Sequence, residues 1–266
     1  MIKAITNKCI ILDLDETCIH SYNDVDTLNK LELLTNPKYY DIRSRLYTIK
    51  LKDVNCPGDG SKIVMWGIMR PYLKEFLYFC FSYFEVVAVW SAGVKKYVRA
   101  IVDHIFKDIG EPHIVFSREK CHKEIDNNLT KPITKMIKEV ETLNKYMSLM
   151  NTFIVDDRLD TFKYNFTNGI LIPPYEPAET IDGLRAEDYA LPRFMTWLSN
   201  SMIQSSSDIR TTNKDTIFSI PLSDIEYINI INNNPNNIID ILTNYLKQKI
   251  TLESYTFSNK IPIYAP

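Results

Sequence analysis

Glycine is scarce in this chain, with seven in 266 residues. None of them builds the clustered loop that cradles the phosphates of a nucleotide, which removes a nucleotide-binding kinase from consideration. Cysteine is sparse and scattered, at Cys9, Cys18, Cys56, Cys80 and Cys121. An odd, dispersed set with no Cys-x-x-Cys spacing indicates reduced thiols and not a disulfide framework. Cys121-His122 and Cys18-x-His20 have no second pair to complete a tetrahedral zinc site, and no cysteine sits in a papain-like signature. Long apolar runs are also missing. No stretch approaches the roughly 18 residues of a membrane span, and the N-terminus carries no signal-peptide core. The charges nearly cancel, 31 basic against 33 acidic residues. That balance leaves no basic footprint for nucleic acid. The expectation is a soluble intracellular protein of the nucleus or cytoplasm, with no membrane partner and no direct nucleic-acid binding.

What is present is concentrated at Cys9-Ile10-Ile11-Leu12-Asp13-Leu14-Asp15. An apolar run that reads as a buried strand ends in two carboxylates spaced by one residue. In extended backbone, residues two apart point to the same side, so Asp13 and Asp15 can face one site. The carboxyl ends of strands are where open α/β sheets bind ligands. The pattern recurs at Thr152-Phe153-Ile154-Val155, which ends in Asp156-Asp157. Two buried strands ending in paired acids are costly without a neutralising cation. A hard divalent ion held by oxygen ligands is the simplest answer. A third apolar strand, Val86 to Trp90, ends in Ser91-Ala92-Gly93, and Lys131 precedes a helical stretch ahead of the second acidic strand.

This order of acidic strand, hydroxyl strand, lysine and second acidic strand resembles the haloacid dehalogenase superfamily of phosphotransferases. The likeness extends to one branch. Asp13-Leu14-Asp15-Glu16-Thr17-Cys18-Ile19-His20-Ser21 is similar to the signature of phosphatases that act on the RNA polymerase II C-terminal domain, and of their small relatives. Arg70-Pro71-Tyr72-Leu73, Trp90-Ser91-Ala92-Gly93, Lys131-Pro132 and Val155-Asp156-Asp157 fall where that branch carries its remaining motifs. Departures are small: Cys18 replaces an aliphatic residue, Ser91 a threonine, and Arg158 a small residue.

The resemblance implies a set of roles. Asp13 would be the nucleophile that becomes an aspartyl-phosphate, and Asp15 the general acid and then the general base. Ser91, the backbone around Ala92, Lys131 and Arg118 would hold the substrate phosphate. Asp13, Asp157, Asp156 and Asp15 (through its backbone carbonyl) would surround the metal. Asp157 is the favoured direct ligand from the second strand, although the spacing leaves Asp156 open. The implied activity is Mg²⁺-dependent hydrolysis of phosphoserine or phosphothreonine in a phosphoprotein or phosphopeptide, the RNA polymerase II C-terminal domain among the candidates. Alternatives are a small-molecule or nucleotide phosphatase with the same chemistry, or a catalytically silent adaptor.

Strands alternating with helices give an α/β class, a Rossmann-like doubly wound and mostly parallel sheet. Residues 1–200 form the phosphatase-type domain, with a small β insertion at about 22–69 built on Leu46 to Leu51 and Ile63 to Trp66, around a Pro57-Gly58-Asp59-Gly60 turn. Pro71 is expected in the first turn of a helix. Residues 201–266 are an extension expected to dock on the domain. It holds a strand at Ile217 to Ile220 and, after the Asn232–Asn237 stretch, a helix with Ile238, Ile241, Leu242 and Tyr245 on one face.

Overall fold

A computed structural model of the chain describes residues 4–53, 58 and 60–225, together with the backbone of 263–264. Strand β1 (Cys9–Leu12) is buried at every position, as an unbroken apolar run predicts when both faces of a sheet are covered. Strand β2 (Ile19–Tyr22) opens the insertion, which continues through α1 (Asp26–Lys30), α2 (Tyr40–Arg43), β3 (Leu46–Lys52) and β4 (Lys62–Met69). The three strands form an antiparallel sheet ordered β2-β4-β3. In β3, Tyr47, Ile49 and Leu51 are buried while Thr48, Lys50 and Lys52 are exposed, the period-two alternation of a half-buried strand. The insertion starts at Ile19 and not at residue 22, because Ile19 to Tyr22 pairs with Met69 to Trp66. Pro57 and Asp59 of the expected turn lie outside the described residues.

Helix α3 (Leu73–Tyr83) begins later than expected. Tyr72 adopts φ 63°, a left-handed conformation that breaks the helical path, so Pro71 sits in the turn ahead of the helix. Then follow β5 (Val86–Trp90), α4 (Lys95–Ile105), β6 (Ile114–Phe116), the ribbon β7 (His122–Lys123) with β8 (Leu129–Thr130), α5 (Ile133–Glu139), β9 (Thr152–Asp156) and β10 (Gly169–Leu171). Helices α6 (Ile181–Arg185), α7 (Ala190–Leu198) and α8 (Ser201–Ser205) close the domain, and β11 (Ile263–Tyr264) adds a short final strand.

The main sheet runs β10-β9-β1-β5-β6-β11, with every neighbouring pair parallel. Its two faces feed two cores. Ile10, Leu12, Val87, Val89, Phe153 and Val155 pack with α3, α4 and α7. Cys9, Ile11, Val86, Ala88 and Ile154 pack with α5. This is the doubly wound α/β fold. Among the described residues no helix is long and apolar enough to cross a membrane.

After α8 the chain lies along α7. Ile209, Ile217 and Ile225 are fully buried in the first core. Arg193 Nε donates to Ile220 O at 2.9 Å and Trp197 Nε1 to Asn213 O at 3.1 Å. The expected strand at 217–220 is instead a 3₁₀ turn, Ile217–Ser219. A helix surface has no free backbone ladder to pair with, so a segment packed there satisfies its own groups locally. The stretch 232–245 lies outside the described residues. Each buried isoleucine truncated to alanine should cost about 2–5 kcal/mol. Ile217→Ala is therefore expected to lower the thermal midpoint, and removal of everything after Ser207 to lower it further and expose apolar surface. A melting curve unchanged by either would show that the segment contributes nothing to the domain.

Candidate active site

The two acidic strand ends are adjacent in space because β1 and β9 are hydrogen-bonded neighbours, with Leu12 opposite Val155. The ladder carries one step further, Asp13 N donating to Val155 O at 3.0 Å. Parallel register therefore brings residue 13 and residue 156 to the same edge of the sheet. Lys131 enters between them, its backbone N donating to Thr161 O at 3.1 Å. Its Nζ donates to Asp13 Oδ1 at 2.5 Å and to Asp156 Oδ2 at 2.6 Å. All three are nearly out of solvent, at 2% exposure for Lys131, 7% for Asp13 and 1% for Asp156.

The electrostatics follow. Burial alone would lower the Lys131 ammonium, but the charges of Asp13 and Asp156 outweigh it and hold its pKa above the ordinary lysine value. Burial pushes Asp13 up, opposed by Lys131 and reinforced by Asp156 and Asp15. Asp157 is half-buried. Burial, then the neighbouring charge of Asp156, lifts it to about 6. One ammonium thus faces Asp13 and Asp156, with Asp15, Glu16 and Asp157 lining the same cavity of about 470 Å³. Negative charge is in surplus.

Carboxylate oxygens of Asp13, Asp156 and Asp157 lie within 4.8 Å of one another. A hard divalent cation fits such an all-oxygen set and would relieve the surplus. The two strand-end acids are not equivalent. Asp156 has both oxygens engaged, Oδ2 by Lys131 and Oδ1 by Arg158 N at 3.0 Å. Among the described residues no cationic side chain pairs with Asp157, which leaves it the more available ligand. Asp15 does not join this group by its side chain. Its carboxylate turns away, Oδ1 accepting a short hydrogen bond from Tyr97 OH and Oδ2 lying 3.4 Å from Ser91 Oγ. Burial raises the Asp15 pKa, and the Tyr97 hydrogen bond opposes that rise.

Ser91 follows β5, its N donating to Phe116 O at 3.1 Å. Its hydroxyl is fully buried and accepts from Gly93 N at 2.9 Å. Ala92, Gly93 and Arg118 line the cavity itself. Arg118 is tethered at its base, Nε donating to Ala92 O at 2.7 Å. Arg158 also lines the cavity, but its guanidinium is held by Asp160 at 2.6 Å. The opposite wall is apolar and belongs to the insertion: Leu51, Ile63 and Met65.

Arg70 holds the loop between β1 and β2. It is buried, forks onto Asp188 at 3.0 and 2.8 Å, and donates to Thr17 O and Pro173 O at 3.1 and 2.8 Å. Such planar, bidentate pairing is what guanidinium geometry favours. Sequence reasoning missed this anchor and also missed Glu16, Ser21, Tyr47 and Tyr97. In the sequence Tyr97 belongs to an apolar helical period with Val94, Val98, Ile101, Val102 and Ile105, of which all but Val94 form the buried stripe of α4. Its hydroxyl, at the cavity end of that stripe, was the available signal.

Replacing Lys131 with methionine strands two buried carboxylates, and breaking a buried ion pair costs about 3–5 kcal/mol. In chelator-treated protein, Lys131→Met should therefore melt well below the parent. Adding Asp13→Asn should recover part of the loss, because the two positions share one network. Additive losses in the double variant would mean that the lysine does not bridge these acids.

A sequence model of NLI interacting factor-like phosphatases matches residues 8–210. A curated relative from Dictyostelium discoideum, described as a probable C-terminal domain small phosphatase, is 26% identical over 166 residues, covering 62% of this chain and 43% of the relative. The match thus spans less than half the relative's length. Two solved structures are similar. Fission yeast RNA polymerase II CTD phosphatase Fcp1, bound to beryllium fluoride, shows 18% identity over 91% of this chain and 62% of that one, with a TM-score of 0.49. A second structure of Fcp1, described as an essential RNA polymerase II CTD phosphatase, shows 17% identity over 89% and 70% of the two chains, with a TM-score of 0.48.

Proposed function

The chain belongs to the NLI interacting factor-like phosphatase family, and from that premise we propose that it is a Mg²⁺-dependent phosphatase acting on phosphoserine or phosphothreonine in proteins through an aspartyl-phosphate. The observation that carries the reading is the bridge Asp13–Lys131–Asp156 at the carboxyl ends of two adjacent parallel strands, with Asp15 in the same cavity. Asp13 attacks phosphorus, the bond from phosphorus to the serine or threonine oxygen breaks, and Asp15 delivers a proton to that oxygen. Asp15 then takes a proton from the water that hydrolyses the phosphoaspartate, which releases phosphate and restores Asp13. Two easier displacements replace one hard hydrolysis.

Lys131 orients the Asp13 carboxylate and offers its remaining positive charge to the transferring phosphate. The Ala92 backbone and Arg118 supply further donors to the phosphate oxygens, while the Ser91 hydroxyl lies buried beneath them against Asp15 Oδ2. Asp13, Asp157 and, less directly, Asp156 would hold the cation. When bound, Mg²⁺ supplies charge neutralisation between the nucleophile and the phosphate dianion. A phosphoprotein substrate is favoured over a small phosphate ester by the form of the cavity. The insertion builds one apolar side wall from Leu51, Ile63 and Met65, which suits an extended segment beside the phosphorylated residue. The RNA polymerase II C-terminal domain, named for the two similar solved structures, is the first substrate to test here.

Asp13→Asn should leave a folded protein without measurable turnover, and beryllofluoride should bind the parent at residue 13 but not the variant. Parent-like rates in that variant would remove Asp13 from the mechanism. Chelation should abolish activity and Mg²⁺ restore it, while Asp157→Asn should need far more Mg²⁺ for the same rate. Full activity after thorough metal stripping would defeat the metal assignment. Phosphopeptides should be turned over with higher kcat/KM than nucleotide or sugar phosphates, and the reverse order would assign a small-molecule substrate instead.

A further inference from the structure

One feature of the cavity is not accounted for by the phosphatase chemistry alone, namely the hydroxyl chain behind Asp15. Ser21 Oγ lies 2.7 Å from Tyr97 OH and 2.7 Å from Tyr47 OH. Tyr97 OH in turn contacts Asp15 Oδ1. With Asp15 ionised Oδ1 can only accept, and because each hydroxyl has one proton this sets the direction of the chain. Tyr97 donates to the carboxylate and must accept from Ser21, and Ser21 must accept from Tyr47. The competing contact of Tyr47 OH with His20 O is long, 3.4 Å.

The chain is built into the insertion sheet. Ser21, Gly67 and Tyr47 are register partners on one rung, Ser21 opposite Gly67 and Gly67 opposite Tyr47. The Tyr47 side chain crosses the central strand to reach Ser21, and it can do so only because residue 67 is glycine. A Cβ there would overlap the Tyr47 hydroxyl and its ring carbon. The second tyrosine has a similar seat, since a Cβ at Gly93 would fall 2.7 Å from Tyr97 Cδ1. Two of the seven glycines of the chain thus make room for the two tyrosines.

We propose that Tyr97, backed by Ser21 and by Tyr47 across Gly67, is a positioning residue that holds Oδ1 of Asp15 and so confines the transferable proton to Oδ2. The inference rests on the phosphatase reading, with Asp15 as general acid. Oδ1 accepts from Tyr97 whether Asp15 is ionised or neutral, because the carbonyl oxygen of a neutral carboxyl is still an acceptor. One polarity of the chain therefore serves both chemical steps. In the first, the Oδ2–H bond breaks as the serine oxygen takes the proton along with the electron pair of its bond to phosphorus. In the second, water returns a proton to the same Oδ2. Docking of the insertion sheet is by this route coupled to the orientation of the acid.

The test uses the Mg²⁺-loaded full chain, with a phosphoserine peptide, p-nitrophenyl phosphate and a non-hydrolysable phosphonate form of the peptide. General-acid action matters for the serine leaving group and little for p-nitrophenolate. Tyr97→Phe should lower kcat/KM on the phosphopeptide about tenfold more than on p-nitrophenyl phosphate. Binding of the phosphonate peptide should change by less than about twofold. Tyr47→Phe, which keeps the ring and lies behind the cavity, should shift the substrate ratio in the same direction by less. Equal losses on both substrates, or a loss explained by weaker phosphonate binding, would overturn the positioning role and leave Tyr97 as part of the cavity wall. A parent protein inactive on both substrates would instead overturn the phosphatase reading, and this inference with it.

Discussion

The arrangement around the cavity depends on one buried ammonium. Lys131 sits between Asp13 and Asp156, at 2.5 and 2.6 Å, and supplies the counter-charge for two buried carboxylates. Removing an ion from water costs several kcal/mol even after the protein relaxes, and only close, well-directed partners offset it. The geometry is strict for that reason. Two parallel strands must end at the same level, and the turn carrying Lys131 must meet them there.

The sheet supplies the level. Leu12 lies opposite both Val89 and Val155, so the chain leaves β1, β5 and β9 along one edge. Asp13, Ser91 and Asp156 follow from three neighbouring strand ends. Residue parity then sends alternate side chains of these strands into two cores. The remaining surplus of negative charge is a property of the site, not a defect of packing. A divalent cation held by these acids, as proposed, would relieve it.

The insertion does more than wall the cavity. Its central rung places Gly67 between Ser21 and Tyr47, and the hydroxyls converge on Tyr97 and Asp15. Arg70, at the end of β4, ties the loop after β1 to Asp188 near the start of α7. Acid, insertion and the helix that carries the C-terminal segment are thus joined by hydrogen bonds rather than by apolar packing alone.

The local parts of this protein were legible in its residues. Buried strands at β1, β5 and β9, the half-buried alternation of β3, the apolar stripe of α4 and the paired acids at 13, 15, 156 and 157 follow from backbone periodicity and from the cost of burying charge. Those signals act over a few residues, so a short window contains them. What the sequence could not display were relations between distant residues. The left-handed turn at Tyr72 shifted the start of α3, and the surface of α7 turned an apparent strand at 217–220 into a 3₁₀ turn. The inequality of Asp156 and Asp157 arose because Lys131 and Arg158 N occupy one and not the other. Tyr97, alike in pattern to its apolar neighbours, meets Asp15 with a hydroxyl at 21 behind it and a glycine at 93 that makes room for its ring. Periodicity records which face a residue takes. Only the folded chain decides which charges and hydroxyls that face will meet, because those partners come from strands and helices far apart in sequence.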